Sequence, residues 1–326
     1  MAESPTVPSP GSPASSVSVS VVVPCYNSSQ SLPLLLTRIA AEFSRRFADF
    51  EVILVDDDSR DSTWSVIGTL AGQYAFVRGL RMMRNFGQHN AILCGIRMAV
   101  FPIVVTLDDD LQHPPEEAYR LVDKILEGYD VVYGTPAVQQ HGLLRDIASV
   151  VTKKILQNAM GAANAANVSA FRAFRTGLRD AFADYRAPFV SIDVLLTWAT
   201  TRFTSLSVKH EERTIGQSNY TFGRLINVAL TLMTGFTVLP LRFASFVGFL
   251  FTIAGFGLFF YVIARYFIDG RGVPGFAFLA SVVTLFSGLQ LFALGIIGEY
   301  LARIYLRMLN RPPYIVAEST TPDGPR

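Results

Sequence analysis

The sequence predicts an α/β fold, a Rossmann-like and mostly parallel sheet domain, followed by a C-terminal α-helical transmembrane hairpin flanked by juxtamembrane amphipathic helices. Two observations carry this. Short β-branched runs alternate with segments of helical apolar spacing from residue 17 to residue 133, and two long uncharged runs follow at 243–264 and 276–298. The composition agrees, since 50% of the 326 residues are hydrophobic and only 17% are charged.

The elements follow in order. Residues 17–24 read as a strand, and Leu32, Leu35, Leu36, Ile39 and Phe43 then recur at helical spacing, making a βα unit. Residues 50–55 give the next strand, Ser62 or Thr63 can cap a helix running through Leu70, 77–82 form a third strand, and 89–99 a helix. Residues 103–107 are an apolar strand ending in Asp108, Asp109 and Asp110, and Pro114 and Pro115 start a helix to residue 127 before the strand 131–133. Strands separated by helices imply a parallel sheet covered on both faces. The expected organisation is a tail over 1–16, a sheet domain over 17–218, a juxtamembrane helix over 219–240, two spans within 241–298, an amphipathic helix over 299–316 and a tail over 317–326. Both tails, rich in Pro, Ser, Thr and Gly, are expected to be disordered.

At about 1.5 Å per residue the run 243–264 would reach roughly 33 Å as a helix, enough to cross a bilayer. Leu225, Ile226, Ala229, Leu232, Met233 and Phe236 before it, and Leu301, Ile304, Tyr305 and Met308 after the second run, have the spacing of helices lying at a membrane surface. Arg224 and Arg242 precede the first span, and Arg303, Arg307 and Arg311 follow the second. With no signal peptide ahead of the polar region, the expectation is an inner (plasma) membrane protein, multi-pass, with both termini cytoplasmic. A net charge of +2 without a dense basic stripe argues against nucleic acid as a partner. Cys25 and Cys94 have neither metal-site nor disulfide spacing and are expected to be reduced and inert.

Four loops at strand ends carry the chemistry. In the first, Pro24, Tyr26 and Asn27 stand together; Tyr26 can stack on a base, and Asn27 can bond a base edge or cap the next helix. In the second, the carboxylates of Asp56 and Asp57 can accept hydrogen bonds from a base imino group or from ribose hydroxyls. The third, RNFGQHN, offers Gly87 for close backbone approach, and Arg84 either binds an anion or covers the sheet edge; His89 reads as a hydrogen-bonding residue at a helix start. In the fourth, Asp108 and Asp110 share one rim with Gln112. Adjacent carboxylates repel unless a hard divalent ion, Mg2+ or Mn2+, offsets their charge, the alternative being a solvated acidic turn.

VVVPCYN, ILVDDDS, RNFGQHNA and LDDDLQHPPEE, in this order, closely resemble the family 2 glycosyltransferases of the GT-A fold. With the hairpin, the segment ERTIGQSNYTF and IGEYLARIY, the chain is similar to the polyprenyl-phosphate members of that family. These include the undecaprenyl-phosphate 4-deoxy-4-formamido-L-arabinose transferases, the bactoprenol glucosyltransferases and, more distantly, the dolichol-phosphate mannose synthases. The resemblance implies an inverting, metal-dependent enzyme moving a sugar from a nucleotide-sugar, most simply a UDP-sugar, to a polyprenyl phosphate such as undecaprenyl or decaprenyl phosphate. It implies that Asp56 and Asp57 hold the nucleoside, and that Asp108 and Asp110 with Gln112 organise the metal on the diphosphate. Arg213 and Ser218 would add donor contacts, and relatives form tetramers, which makes a homo-oligomer the expectation. For the acceptor phosphate, Arg145 and Lys153 are the chosen residues.

The sequence also departs from the family pattern. Ser28 stands where an acidic residue is usual, Asp58 where glycine is common, and Asn219 where lysine often follows the serine. No arginine lies near Pro136, and no aspartate near Ala166, where relatives often place a catalytic base. An acceptor that is already ionised needs no base. The rival reading is a non-catalytic membrane scaffold that retained nucleotide binding. A processive polysaccharide synthase fits less well, with only two spans and no QxxRW motif.

Overall fold

The computed structural model describes residues 17–136, 167–187, 190–211, 238–269 and 275–321. The chain divides into two compact units. One comprises Met1–Phe222 together with Asn310–Arg326, the other Gly223–Leu309.

The first unit is built on an eight-stranded sheet. The elements run β1 (Ser18–Cys25), α1 (Leu32–Arg46), β2 (Asp49–Asp56), α2 (Thr63–Gln73), β3 (Val77–Met82), α3 (Gln88–Met98) and β4 (Ile103–Thr106). A 3-10 turn, Pro115–Glu117, leads into α4 (Ala118–Leu126) and β5 (Val131–Pro136). After them come β6 (Arg172–Arg175), a 3-10 segment Thr176–Phe182, α5 (Ile192–Ala199) and β7 (Phe203–Val208). The strand order is β7-β5-β6-β4-β1-β2-β3-β8, where β8 is Val316–Ser319. β4, β1, β2 and β3 pair in parallel, as do β5 and β7, whereas β6 runs antiparallel between β4 and β5 and β8 antiparallel along β3. The sheet is therefore the mostly parallel, Rossmann-like one the alternating pattern predicts.

Why β1 is apolar along nearly its whole length follows from its place in the middle. Val19, Val21 and Val23 join Leu32, Leu35, Leu36, Ile39 and Phe43 of α1 in one core, whereas Val22 joins Ile92, Leu93 and Ile96 of α3 in the other. A strand covered on both faces has no polar side to show. Each Val or Ile so buried contributes roughly 1.5–3 kcal/mol. α3 lies so close to β1 that a Cβ on Gly95 would stand 2.4 Å from Val22 Cγ1.

The second unit holds two helices long and apolar enough to cross a membrane, α6 (Leu239–Asp269) and α7 (Phe276–Met308). They form a candidate membrane hairpin in which Phe251 and Phe286 meet edge to face at 5.8 Å. Their large apolar side chains, Phe249, Phe256, Phe260, Leu291 and Leu294 among them, face outward. In water that is unfavourable, and in lipid it is the ordinary state.

Two expectations at the C-terminal end are corrected. The segment expected as a separate amphipathic helix over 299–316 is instead continuous with the second span up to Met308, and no break falls at residue 298. The tail expected to be disordered from 317 contributes Ala317, Glu318 and Ser319 to strand β8, and the Thr320 N–H donates to the Gly79 carbonyl at 3.0 Å. Backbone pairing along the open edge of β3 supplies what composition alone does not. The amphipathic helix expected over 225–236 lies outside the described residues, as do Arg145, Lys153, Arg213 and Ser218.

Candidate active site

The sheet reverses its order at β1. From β1 the chain winds outward to β2 and β3 on one side, then crosses to β4 on the other. Loops leaving the carboxyl ends of β1 and β4 therefore part, and the crevice between them is where open α/β sheets bind ligands. The first and fourth loops border this crevice, and the second and third flank it on the β2 and β3 side.

The first two loops are tied together by polar contacts. Asn27, in the left-handed region at φ 56°, donates its N–H to Ser59 Oγ at 2.9 Å and accepts the Arg60 N–H on Oδ1 at 2.9 Å. Its side chain thus joins the two loops and does not cap α1. Ser28 N–H donates to Thr63 Oγ1 at 2.7 Å, while the Ser28 hydroxyl donates to Asp109 Oδ2, which also accepts the Tyr26 N–H at 3.3 Å. An acidic residue at position 28 would face that carboxylate, so the serine suits its neighbour. Tyr26 is exposed at the rim.

Asp56 and Asp57 differ sharply in what they do. Asp57 is spent inside the fold: Oδ1 accepts the Phe86 N–H at 2.7 Å and Oδ2 the Gly87 N–H at 2.8 Å, fixing the third loop. Asp56 accepts the Ser59 N–H at 3.1 Å and the Ser59 hydroxyl on Oδ1, but its buried Oδ2 has no hydrogen-bond partner. Among the described residues Arg81 pairs with it, its Nε 3.7 Å away. Burial raises both carboxyls above the ordinary range, against the lowering effect of these donors. Asp58, at the place where glycine is common, adopts φ 57°, which explains the glycine and which aspartate tolerates.

In the third loop Gly87 sits at φ 96° with open space around its Cα, so backbone conformation and not crowding calls for glycine. The Arg84 guanidinium lies over the Phe86 ring at 4.6 Å. His89 Nδ1 accepts the Ile192 N–H at 3.5 Å, and burial holds its pKa below the usual value, which fits a hydrogen-bonding imidazole.

The fourth loop distributes its three carboxylates in three directions. Asp109 turns to the first loop, Asp108 accepts Gln88 Nε2 at 2.6 Å, and Asp110 accepts the Gln112 N–H at 3.1 Å. Leu111 between them takes φ 64°, an uncommon conformation for a branched residue, and is held there by its buried side chain. Behind the turn the Gln112 carbonyl accepts the Glu211 N–H at 3.0 Å, and Arg38 of α1 clamps both Glu116 and Glu211 at 2.8 Å. Burial, followed by the charges of Asp110 and Asp109, pushes Asp108 up to about 7. Among the described residues no three His, Cys, Asp or Glu side chains converge as a ready-made metal cluster. The donor set still suits Mg2+ or Mn2+, which typically take one or two carboxylates and complete their shell with phosphates and water.

Three contributors escape a reading of the sequence: Asp109 as the tie between loops, Gln88 as the partner of Asp108, and Arg172. Arg172 of β6 is buried with Asp193 of α5, which also accepts the Tyr133 hydroxyl at 3.0 Å, and its charge helps offset that of Asp108. Arg172, on a strand paired with β4 and β5, and Asp193, on a helix, meet only through tertiary packing.

The sequence profile described as Glycosyl transferase family 2 matches residues 20–185, a stretch containing all four loops. The chain belongs to glycosyl transferase family 2. Across 301 residues the transferase is 36% identical to the undecaprenyl-phosphate 4-deoxy-4-formamido-L-arabinose transferase of Enterobacter sp. (strain 638), covering 91% of this chain and 92% of the relative. It is 37% identical over 311 residues to the protein of the same name from Aeromonas hydrophila, covering 93% and 95%. Among solved structures it is similar to the Mycobacterium tuberculosis glucosyl-3-phosphoglycerate synthase, at a TM-score of 0.49 and 17% identity over 67% of this chain and 78% of that one.

Proposed function

We propose that this transferase moves a sugar from a nucleotide-sugar, UDP favoured, onto a polyprenyl phosphate of undecaprenyl or decaprenyl length, for a cell-envelope glycan or lipid modification. The observation that carries the reading is the near full-length match to undecaprenyl-phosphate transferases, which leaves too little of the chain outside it to omit either the four loops or the two apolar helices. Asp56 offers the nucleoside an acceptor atom in its buried Oδ2, which has no hydrogen-bond partner, and Pro24, Tyr26 and Asn27 are assigned to the donor with it. Asp57 contributes by holding the Arg84–Gly87 turn in place. Asp108 and Asp110, with Gln112, would hold the divalent metal, whose charge offsets that of the diphosphate as the glycosidic bond breaks.

The acceptor's phosphate, with a second pKa near 6, is largely dianionic at neutral pH and attacks the anomeric carbon unaided. One displacement inverts the configuration. The absence of a carboxylate near Ala166 is consistent with this chemistry, which asks for orientation and charge placement more than for a base. Arg145 and Lys153 are assigned to the acceptor phosphate and Arg213 and Ser218 to the donor. The hairpin tethers the transferase to the bilayer in which a long-chain lipid phosphate resides, with the sheet domain and both termini assigned to the cytoplasmic side of the inner membrane.

The test is transfer of radiolabelled sugar into the organic phase by the purified full chain, with undecaprenyl phosphate, Mg2+ or Mn2+, and a panel of UDP- and GDP-sugars. Lipid-soluble label from one donor is the expected result. Nucleotide binding without transfer from any donor would replace this reading with a scaffold.

A further inference from the structure

The end of the chain returns from the candidate hairpin to the catalytic sheet at a chemically marked point. Cross-strand register sets Asp56 of β2 opposite Arg81 of β3, and Arg81 opposite Glu318 of β8. Neighbours in register point to the same face, so an acid, a base and an acid form one row across the sheet. Arg81 Nη1 donates to Glu318 Oε1 at 3.1 Å, whereas Arg81 Nε lies 3.7 Å from Asp56 Oδ2 and Arg81 Nη2 lies 3.8 Å from Asp58. The shortest of the three contacts is the one to β8. The other oxygen of Glu318 accepts Trp64 Nε1 at 3.0 Å, which fixes the carboxylate from α2.

The docking is built into β3 as well. Gly79 N–H donates to Thr320 Oγ1 at 2.8 Å, and a Cβ at position 79 would stand 2.9 Å from Thr320 Cγ2 and 2.3 Å from Ile67 Cγ2. The register shifts between Arg81 and Met82, leaving Ala317 without an opposite residue next to Glu318. Such bulges re-aim the side chains beside them.

We propose that Glu318 is a positioning residue of the donor site, restraining Arg81 so that it stands 3.7 Å from Asp56 without hydrogen-bonding to it, and leaving the buried Asp56 Oδ2 unsatisfied for a nucleoside to engage. The proposal rests on the reading of Asp56 as a donor-binding residue. As a stabilising contact the pair has little value, because Arg81 is 32% and Glu318 54% exposed and exposed ion pairs contribute about 0–1 kcal/mol. Its effect lies in where the guanidinium rests. Released from Glu318, Arg81 has two carboxylates within 4 Å, and pairing with Asp56 would take the atom the donor needs.

The experiment uses the full chain in detergent, with UDP and GDP as probes in the presence of Mg2+, and compares Glu318→Gln with Thr320→Val and Asp56→Asn. Glu318→Gln keeps shape and the acceptor for Trp64, whereas Thr320→Val removes the hydroxyl that accepts the Gly79 N–H and leaves the charges alone. Expected is a roughly tenfold weaker nucleotide Kd and a similar rise in donor KM for Glu318→Gln, the lower end of the range for groups that orient a binding residue. Acceptor KM and Tm stay near those of the unaltered protein, and Thr320→Val lowers Tm without that loss of affinity. An unchanged Kd in Glu318→Gln overturns the proposal, as does an equal loss in Thr320→Val, which would make β8 a structural strand only. Nucleotide affinity that survives Asp56→Asn would overturn the underlying donor reading instead.

Discussion

Asp57 and Gly87 are joined by a 2.8 Å hydrogen bond from the glycine N–H to the aspartate, in parallel with a 2.7 Å bond from Phe86 N–H to the other carboxylate oxygen. One buried side chain thereby holds a loop that begins at the end of a different strand. Asp57→Asn keeps the shape but replaces one acceptor with a donor facing a donor. Leaving a buried group unsatisfied costs about 1–3 kcal/mol. The expected outcome is a lower midpoint in denaturant unfolding and weaker nucleotide binding that follows the loosened loop; an unchanged midpoint would remove the loop-holding role.

Asp110→Asn should abolish metal-dependent transfer and leave expression and folding intact. The residue lies at the end of the rim, where its Oδ1 takes a Gln112 N–H that an amide oxygen can still accept. Transfer assays across a Mn2+ titration, run beside thermal unfolding, check both halves. Turnover equal to that of the unaltered protein would move the metal site elsewhere.

Acid should loosen the same rim from behind. The Arg38 hydrogen bond holds the Glu211 carboxyl below its ordinary value of 4.5. A depressed carboxyl contributes stability that is present above its unfolded value and is lost as pH falls through the lower folded one. Arg38→Met should therefore lower stability at pH 7 and flatten its dependence on pH below about 4.5. Unfolding midpoints from pH 3 to pH 7, compared between the two proteins, are the measurement, and parallel curves would show that the clamp carries no linkage.

Membrane topology can be read with the native cysteines in place. Cys25 and Cys94 are buried, and burial pushes the Cys94 thiol up to about 12 and Cys25 well above its ordinary value, so neither supplies thiolate at neutral pH. A cysteine introduced at Gly272, between the two spans, should react with a membrane-impermeant maleimide added to intact cells. Labelling only after permeabilisation would invert the proposed orientation.

Much of the sheet was legible because its signals are local. A strand covered on both faces needs a continuous apolar run, and the helix after it needs apolar residues three and four apart; β1 with α1 and β4 with its acidic turn satisfy these rules within a few residues. The sequence also separates the two apolar helices from everything before them, since no core of this size would need two such runs. β6 and β8 were not legible. Each has four residues, RAFR and VAES, with charged side chains that would ordinarily discourage a strand.

By itself, then, the sequence determined the sheet's central strands, the loops that follow them, the two apolar helices and the family to which the four motifs belong. Tertiary structure decided what each carboxylate does. Asp56 and Asp57 are adjacent and chemically identical, yet Asp57 is consumed by backbone N–H groups some thirty residues onward while Asp56 keeps a buried oxygen without a hydrogen-bond partner beside Arg81. Hydrogen-bond partners of that kind, like the Glu318 that reaches Arg81 from the far end of the chain, depend on strand register between distant segments, which no local pattern encodes.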